Sequence, residues 1–227
     1  MTVAAVGAFG KIPAAGDFLR IRAPSGFVQV WDEWLQKCLV SGSHTFGSHW
    51  ESLYMSVPIW RFCLSAGLAG PQRIMGVLMP SVDRVGRRFP LTLMAVLPEN
   101  GSVLLDHFSR DDMFAAMEDL ALATLEDDAS RAILEDGLSG LNTDVSGFDA
   151  SIAKTANALV LRHSHGSNLT PSILASDCLS PTFQAPSIWS AVMEGDVRLM
   201  LCDGLPDGSN MQGLFDLDAD IWKADPA

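Results

Sequence analysis

Two almost wholly apolar runs separated by a short charged loop constrain this chain more than any other feature. Residues 74–78 and 91–96 carry apolar side chains on both alternating faces, which is typical of strands buried inside a sheet. The stretch from Met79 to Leu91 lies between them and contains one aspartate, three arginines and a glycine. The pattern predicts two core strands that flank an unusually cationic loop.

Similar apolar stretches predict further strands at residues 3–9, 59–64, 158–161, 187–192 and 197–202, the last two as a hairpin. The helical spacing of Phe27, Trp31 and Trp34 indicates a helix that starts near Pro24, with Ser25 as its cap. More helices are expected from Asp111 or Asp112, over residues 130–138 and around Met211, with irregular segments at residues 41–48 and 163–185.

Strands come first in this chain, then helices, then strands again, and all of them contain buried runs. This order predicts an α/β fold, a three-layer sandwich in which helices cover both faces of a mixed β-sheet. No linker long enough to separate two domains interrupts residues 1–227, so a single domain is expected.

The charge is unevenly distributed along the chain. Residues 1–90 hold nine Lys/Arg and five Asp/Glu, a net charge of +4, whereas residues 91–227 hold six and 22, a net charge of −16. The overall charge of −12 argues against non-specific binding to nucleic acid or anionic lipid. No apolar run approaches the roughly 20 residues that a membrane span needs, so we expect a soluble, cytoplasmic protein without membrane insertion.

Motifs for metal binding and nucleophilic catalysis are not evident in the sequence. The cysteines are isolated among apolar neighbours and are predicted to be buried thiols, at positions Cys38, Cys63, Cys178 and Cys202. The histidines lack a third metal ligand at a suitable spacing, and no Gly-x-Ser-x-Gly elbow occurs. We therefore expect no metal, no cofactor and no catalytic residues.

A glycine-rich stretch near the N-terminus invites comparison with a phosphate-binding loop. A P-loop needs four residues between its first glycine and the Gly-Lys pair, followed by Ser or Thr and a helix. Here two residues separate Gly7 from Gly10-Lys11, Ile12 follows, and Pro13 blocks a helix. The alternative function, a small-ligand or nucleotide-binding protein or enzyme, would use this loop through Lys11 and Asp17.

The arginine-bearing loop supports two compatible interpretations. Asp83 can accept hydrogen bonds from the turn backbone or from Arg84 and so fix the loop, while Arg87 and Arg88 are displayed or one of them turns inward. Guanidinium groups suit carboxylates and phosphates, so the loop can anchor an acidic partner segment or an anion. It can equally form an internal ion-pair network with the glycine loop through Asp17.

Several ordered motifs resemble those of the type VI secretion-associated TagF (ImpM) family. The N-terminal motif is residues 10–18, the second is residues 58–62 followed by Gly67, and the third is residues 79–91. Ser187-Ile188-Trp189 and Gly204-Leu205-Pro206 are similar to its C-terminal motifs. The resemblance implies a cytoplasmic, non-enzymatic regulator that represses type VI secretion after translation by contacting the forkhead-associated scaffold protein Fha.

The loops and motifs together define a set of candidate functional residues. We expect them to bind the partner or to organise the loops, and they are Lys11, Asp17, Phe18, Ser81, Asp83, Arg84, Gly86, Arg87, Arg88 and Trp189.

Overall fold

A seven-stranded sheet separates two helical layers. The computed structural model describes residues 5–141, 150–154, 159–163, 170–179 and 181–223. The strands in chain order are β1 (Val6–Gly10), β2 (Leu19–Ile21), β3 (Trp60–Leu64), β4 (Ile74–Met79), β5 (Leu91–Val96), β6 (Ala150–Lys154), β7 (Leu159–His163), β8 (Pro186–Met193) and β9 (Asp196–Asp203). The large sheet has the order β2-β1-β5-β4-β3-β8-β9, and β6 and β7 form a separate two-stranded sheet.

The α-helices of the described residues lie in the chain between groups of strands and after the last strand. They are α1 (Phe27–Phe46), α2 (Trp50–Ser56), α3 (Val103–Ser109), α4 (Asp111–Ala123), α5 (Arg131–Gly140), α6 (Thr170–Leu179) and α7 (Gly208–Gly213). The predicted α/β class with helices on both faces of the sheet is confirmed. Each strand pair that the structure describes is antiparallel, which specifies the pairing of the sheet more closely than the prediction of a mixed sheet did.

An aromatic core fills the space between one face of the sheet and the layer of α1, α2 and α7. Trp31 of α1 stacks on Trp189 of β8 with ring centroids 6.0 Å apart, and it lies 4.9 Å from the ring of Phe62 in β3. Trp31 Nε1 donates to the buried hydroxyl of Thr92, 2.9 Å away, so its polar atom has a partner. The C-terminal hairpin is therefore part of the same core as the N-terminal helix.

The opposite face of the sheet carries a second core of mainly aliphatic residues. Alternate residues of β4, such as Met75 and Val77, point to this side and pack with Phe114 and Met117 of α4. Arg61 of β3 also lies on this side, where its guanidinium makes two hydrogen bonds of 2.7 Å to Glu118. Both faces of the central strands are buried, which explains their continuous apolar sequence.

The first long helix begins and ends differently from the prediction. The residue before α1 is Gly26, with φ of 78°, and no side chain caps the helix, so the predicted cap Ser25 is wrong. The helix continues to Phe46 through residues expected to be irregular. A β-carbon at Gly42 would lie 2.2 Å from the Trp50 ring, so this glycine allows α2 to pack closely against α1.

Part of the segment expected to be irregular, residues 170–179, forms helix α6. Its Ser176 hydroxyl donates to the hydroxyl of Ser102, the residue that caps α3. Cys178 lies on α6 and is exposed, which corrects the prediction of four buried thiols, while Cys38, Cys63 and Cys202 are buried.

Some predictions concern residues outside the described ranges, namely residues 3 and 4 of the first predicted strand, residue 158 of another, and residues 164–169 and 180 of the segment expected to be irregular. Within the described ranges, no helix has the length and apolar character needed to cross a bilayer.

Candidate functional site

The two loops singled out in the sequence lie against each other at one end of the sheet. The first loop, residues 10–18, begins at the last residue of β1, and residues 80–90 precede β5. Because β1 and β5 are antiparallel neighbours, these loops emerge at the same end of the sheet. Lys11 Nζ lies 2.9 Å from Asp83 Oδ2, and the amide of Arg84 donates to the carbonyl of Ala15 at 3.0 Å. The two loops, residues 10–18 and 80–90, and the contacts between them are here called the loop junction. Contact between the loops is what the interpretation of an internal network requires.

Asp83 organises the loop junction from its centre. Its side chain is fully buried, and its Oδ1 accepts from the amides of Val85 at 3.0 Å and Arg87 at 2.9 Å. Its Oδ2 accepts from Arg87 Nε at 2.6 Å in addition to Lys11. Burial alone would raise the pKa of this carboxyl, but the hydrogen bonds from Lys11, Arg87 and the backbone amides outweigh it and hold the pKa below its ordinary value.

The backbone of the arginine loop closes as a tight turn around this carboxylate. Gly86, with φ of 82°, donates its amide to the carbonyl of Asp83 at 2.9 Å. A positive φ is available to glycine at little cost, which explains the residue at this position. The amide of Phe89 donates to the carbonyl of Ser81 at 3.1 Å, so the loop has one defined conformation stabilised from within.

Gly10, at the start of the first loop, allows close packing against the arginine loop. Gly10 has φ of 131°, and a β-carbon there would lie 2.0 Å from the carbonyl oxygen of Pro90. The chain then leads through a loop into strand β2, so no helix N-terminus follows Lys11. Lys11 is 6% exposed, and its ammonium is already paired with Asp83. These features differ from those of a phosphate-binding loop.

The ionic link between the loops is made by Lys11 and not, as expected, through Asp17. Asp17 is exposed and has no ion pair among the described residues. A second link comes from Arg87 Nη2, which donates to the carbonyl of Gly16 at 2.9 Å. The predicted internal network therefore exists, with a different partner on the glycine loop.

The outer side of the loop junction exposes both cationic and apolar groups. Arg87 keeps 63% of its side chain exposed, and Val85 at the tip of the turn is 70% exposed. Phe18 is 49% exposed, and its ring packs edge-on against Phe89 with centroids 4.7 Å apart. Lys11 Nζ lies 4.9 Å from the centre of the Phe18 ring. The buried network thus supports a surface on which the side chains of Arg87 and Phe18 are held by contacts within the loop junction.

Two residues of α2 support the arginine loop and were missed from the sequence. Glu51 pairs with Arg88, and the Tyr54 hydroxyl donates to the carbonyl of Ser81 at 2.8 Å while accepting from the Ser81 amide at 3.0 Å. Burial is the main cause that raises the pKa of Tyr54, so this phenol stays protonated. Their spacing of three residues places both on one helical face, a signal that depends on recognising α2.

Trp189, the last candidate, lies in the aromatic core and is fully buried. Its Nε1 donates to the Ser187 hydroxyl at 3.0 Å. No part of the side chain reaches the surface, so Trp189 cannot contact a partner from this position, and it packs in the aromatic core.

A cavity of about 240 Å³ lies elsewhere in the molecule. Its lining includes Ser65, Arg73, Ser102 and Gln184, and it contains no residue of either loop. Among the described residues, no group of histidine, cysteine and acidic side chains is arranged to hold a metal ion.

The chain is similar to known proteins over most of its length. The model of the TagF N-terminal domain, a type VI secretion system-associated family, matches residues 7–141. The crystal structure of PA0076 from Pseudomonas aeruginosa PAO1 is 29% identical, with a TM-score of 0.77, and the match covers 98% of this chain and 99% of that chain. No curated protein gives a match. The family match includes both loops of the loop junction.

Proposed function

This chain belongs to the type VI secretion system-associated TagF family, and on that premise we propose that it is a non-enzymatic, cytoplasmic repressor of type VI secretion that binds the scaffold protein Fha. Family membership supports a role in type VI secretion. The finer proposal is that the protein acts after translation, by occupying Fha through the loop junction.

The observation that carries this proposal is the internally fixed loop junction. Ordering flexible loops on association costs free energy, so a surface that is already ordered binds with less loss. Arginine and aromatic side chains are enriched among the residues that dominate protein–protein binding energy. The exposed side chains here, with Arg87, Val85 and Phe18 on a buried ionic support, suit recognition of another protein.

The alternative, a ligand-binding site at the glycine loop, receives less support from the same geometry. A phosphate that approached Lys11 would have to displace Asp83, which holds the ammonium at 2.9 Å. Displacement would leave a buried carboxylate without one of its two cationic partners, an arrangement that costs free energy.

Val85→Asp tests the proposed function, with Val40→Asp as its matched control. Val85 is 70% exposed on the loop junction and Val40 is 68% exposed on α1, so the two substitutions are alike in residue type, charge change and exposure. We expect the purified wild-type protein to bind Fha. Val85→Asp should raise the dissociation constant by about tenfold or more, and Val40→Asp should change it by less than about twofold. Isothermal titration calorimetry measures all three.

A secretion assay completes this test. Overproduction of the wild-type protein in a cell that carries the apparatus should lower type VI secretion, and Val85→Asp should lower it less. Absence of Fha binding by the wild-type protein, or secretion that does not respond to it, would refute the proposed function.

A further inference from the structure

Two guanidinium groups of the arginine loop lie close to Gly16 in the loop junction. Arg87 Nη2 donates to the Gly16 carbonyl, and a β-carbon added at Gly16 would lie 3.7 Å from Arg84 Nη2. Arg84 is exposed, and its side chain has no hydrogen bond or ion pair within the described part of the chain. Arg87 uses Nε and Nη2 internally, which leaves donors of its planar five-donor group available.

A third cation and an aromatic ring extend this surface along the edge of the sheet. Arg20 of strand β2 is exposed and pairs in register with Phe9, so both side chains lie on the same side of the sheet. The ring of Phe9 lies 6.1 Å from that of Phe18, which is half exposed. The cations of the loop junction and Arg20 therefore adjoin exposed apolar groups.

The charge of this surface opposes the charge of the chain as a whole. Within residues 10–20 and 80–90, Arg20, Arg84 and Arg87 are exposed and Asp17 is the one exposed acid, whereas the full sequence carries a net charge of −12. Arg88 is compensated by Glu51. Cations concentrated in one place on an acidic protein favour the approach and orientation of a negatively charged partner.

The apolar groups distinguish a peptide from a simple anion. An inorganic anion would pair with the guanidinium groups and leave Val85 and Phe18 in water, whereas a peptide can cover them and gain from their burial. From charge complementarity and these exposed apolar groups, we infer that the loop junction and Arg20 bind an acidic segment of the partner that carries an apolar side chain. This inference rests on the proposed function, because it specifies which part of Fha would be recognised.

The test uses two labelled peptides and fluorescence anisotropy with the full-length protein. One peptide is rich in Glu and Asp with one central Phe, and the other has Lys in place of each acid. Binding of the acidic peptide should be at least about tenfold tighter than binding of the Lys peptide. It should also weaken from about 0.01 M to about 1 M salt, because the screening length falls from about 30 Å to about 3 Å.

Charge reversal locates the binding surface. The double variant Arg20→Glu/Arg84→Glu should lose binding of the acidic peptide, while Lys37→Glu, an exposed cation on α1, should retain it. Should the double variant unfold, Arg20→Gln/Arg84→Gln removes the same charges without adding carboxylates near Asp83, and its melting temperature is measured beside its affinity.

The outcomes separate this inference from the proposed function. Equal binding of the two peptides, no binding of either, or binding that survives in the folded charge variants would overturn the inference. Complete displacement of the peptide from the wild-type protein by millimolar sodium phosphate would overturn it in favour of a simple anion site. Failure of the wild-type protein to bind Fha refutes the proposed function alone, whatever the peptides do.

Discussion

At the scale of single residues, the loop junction depends on the charge of one buried side chain. Asp83 accepts hydrogen bonds from two backbone amides and from the side chains of Lys11 and Arg87. An asparagine of the same shape has one acceptor oxygen, and its amide nitrogen would face donors with no acceptor between them. The position therefore requires an ionised carboxylate, and the hydrogen bonds keep its pKa below the ordinary value of aspartate.

The stability of Asp83→Asn relative to wild type should consequently depend on pH. Because the folded-state pKa is below the unfolded value of about 3.9, the contribution of Asp83 is fully present above about pH 4. It is lost as pH falls through the folded-state pKa. We expect Asp83→Asn to have a lower melting temperature than wild type at neutral pH, and this difference in melting temperature to become smaller in acid. Asp17→Asn, an exposed control, should match wild type throughout, and a gap that persists unchanged in strong acid would contradict the prediction.

At the scale of secondary structure elements, the sequence predicted strands better than helix ends. Strands β4 and β5 are buried on both faces, and their continuous apolar runs identify them without tertiary information. The two loops of the loop junction were also predictable, because they are charged or glycine-rich stretches that lie directly beside apolar runs. The end of α1 was not, because its Ser/Gly-rich sequence disfavours a helix locally and only the contact of Gly42 with Trp50 explains it. The support from Glu51 was missed together with α2.

Gly42→Ala tests whether this helix contact dominates over local preference. Alanine is favoured over glycine in a helix by about 1 kcal/mol, so local propensity alone predicts stabilisation. The new methyl group would overlap the Trp50 ring, and overpacking of this kind costs about 1–3 kcal/mol. We expect net destabilisation in urea unfolding. Gly140→Ala at the end of α5, where a β-carbon meets nothing within 4 Å, should be neutral or stabilising, and the same result at Gly42 would contradict the proposed packing.

At the scale of the whole molecule, distant parts of the chain complete one sheet. Strand β8 pairs with β3 and supplies Trp189, whose ring lies 5.3 Å from Trp34 and 5.2 Å from Phe62. The family match ends at residue 141, before β8 and β9. A sequence motif can mark the loops that follow β1 and precede β5, but the β3–β8 pairing joins segments more than 100 residues apart and leaves no local signal. Because β8 lies beyond residue 141, the matched part of the chain lacks the strand that pairs with β3 and the Trp189 side chain of the aromatic core.

A fragment of residues 1–141 should therefore fail to fold cooperatively, although it contains the whole family match and the loop junction. Without β8, the aromatic core loses Trp189, and removal of a buried tryptophan side chain alone costs about 3–5 kcal/mol. The backbone of β3 would also become an unpaired edge, which favours aggregation. Near-ultraviolet circular dichroism and urea unfolding of the fragment, beside full-length wild type and full-length Trp189→Ala, measure this directly. Trp189→Ala should remain folded with reduced stability, since it keeps the strand pairing. A fragment with a sharp unfolding transition would show that the first 141 residues form a domain by themselves, and it would contradict the single domain predicted for residues 1–227.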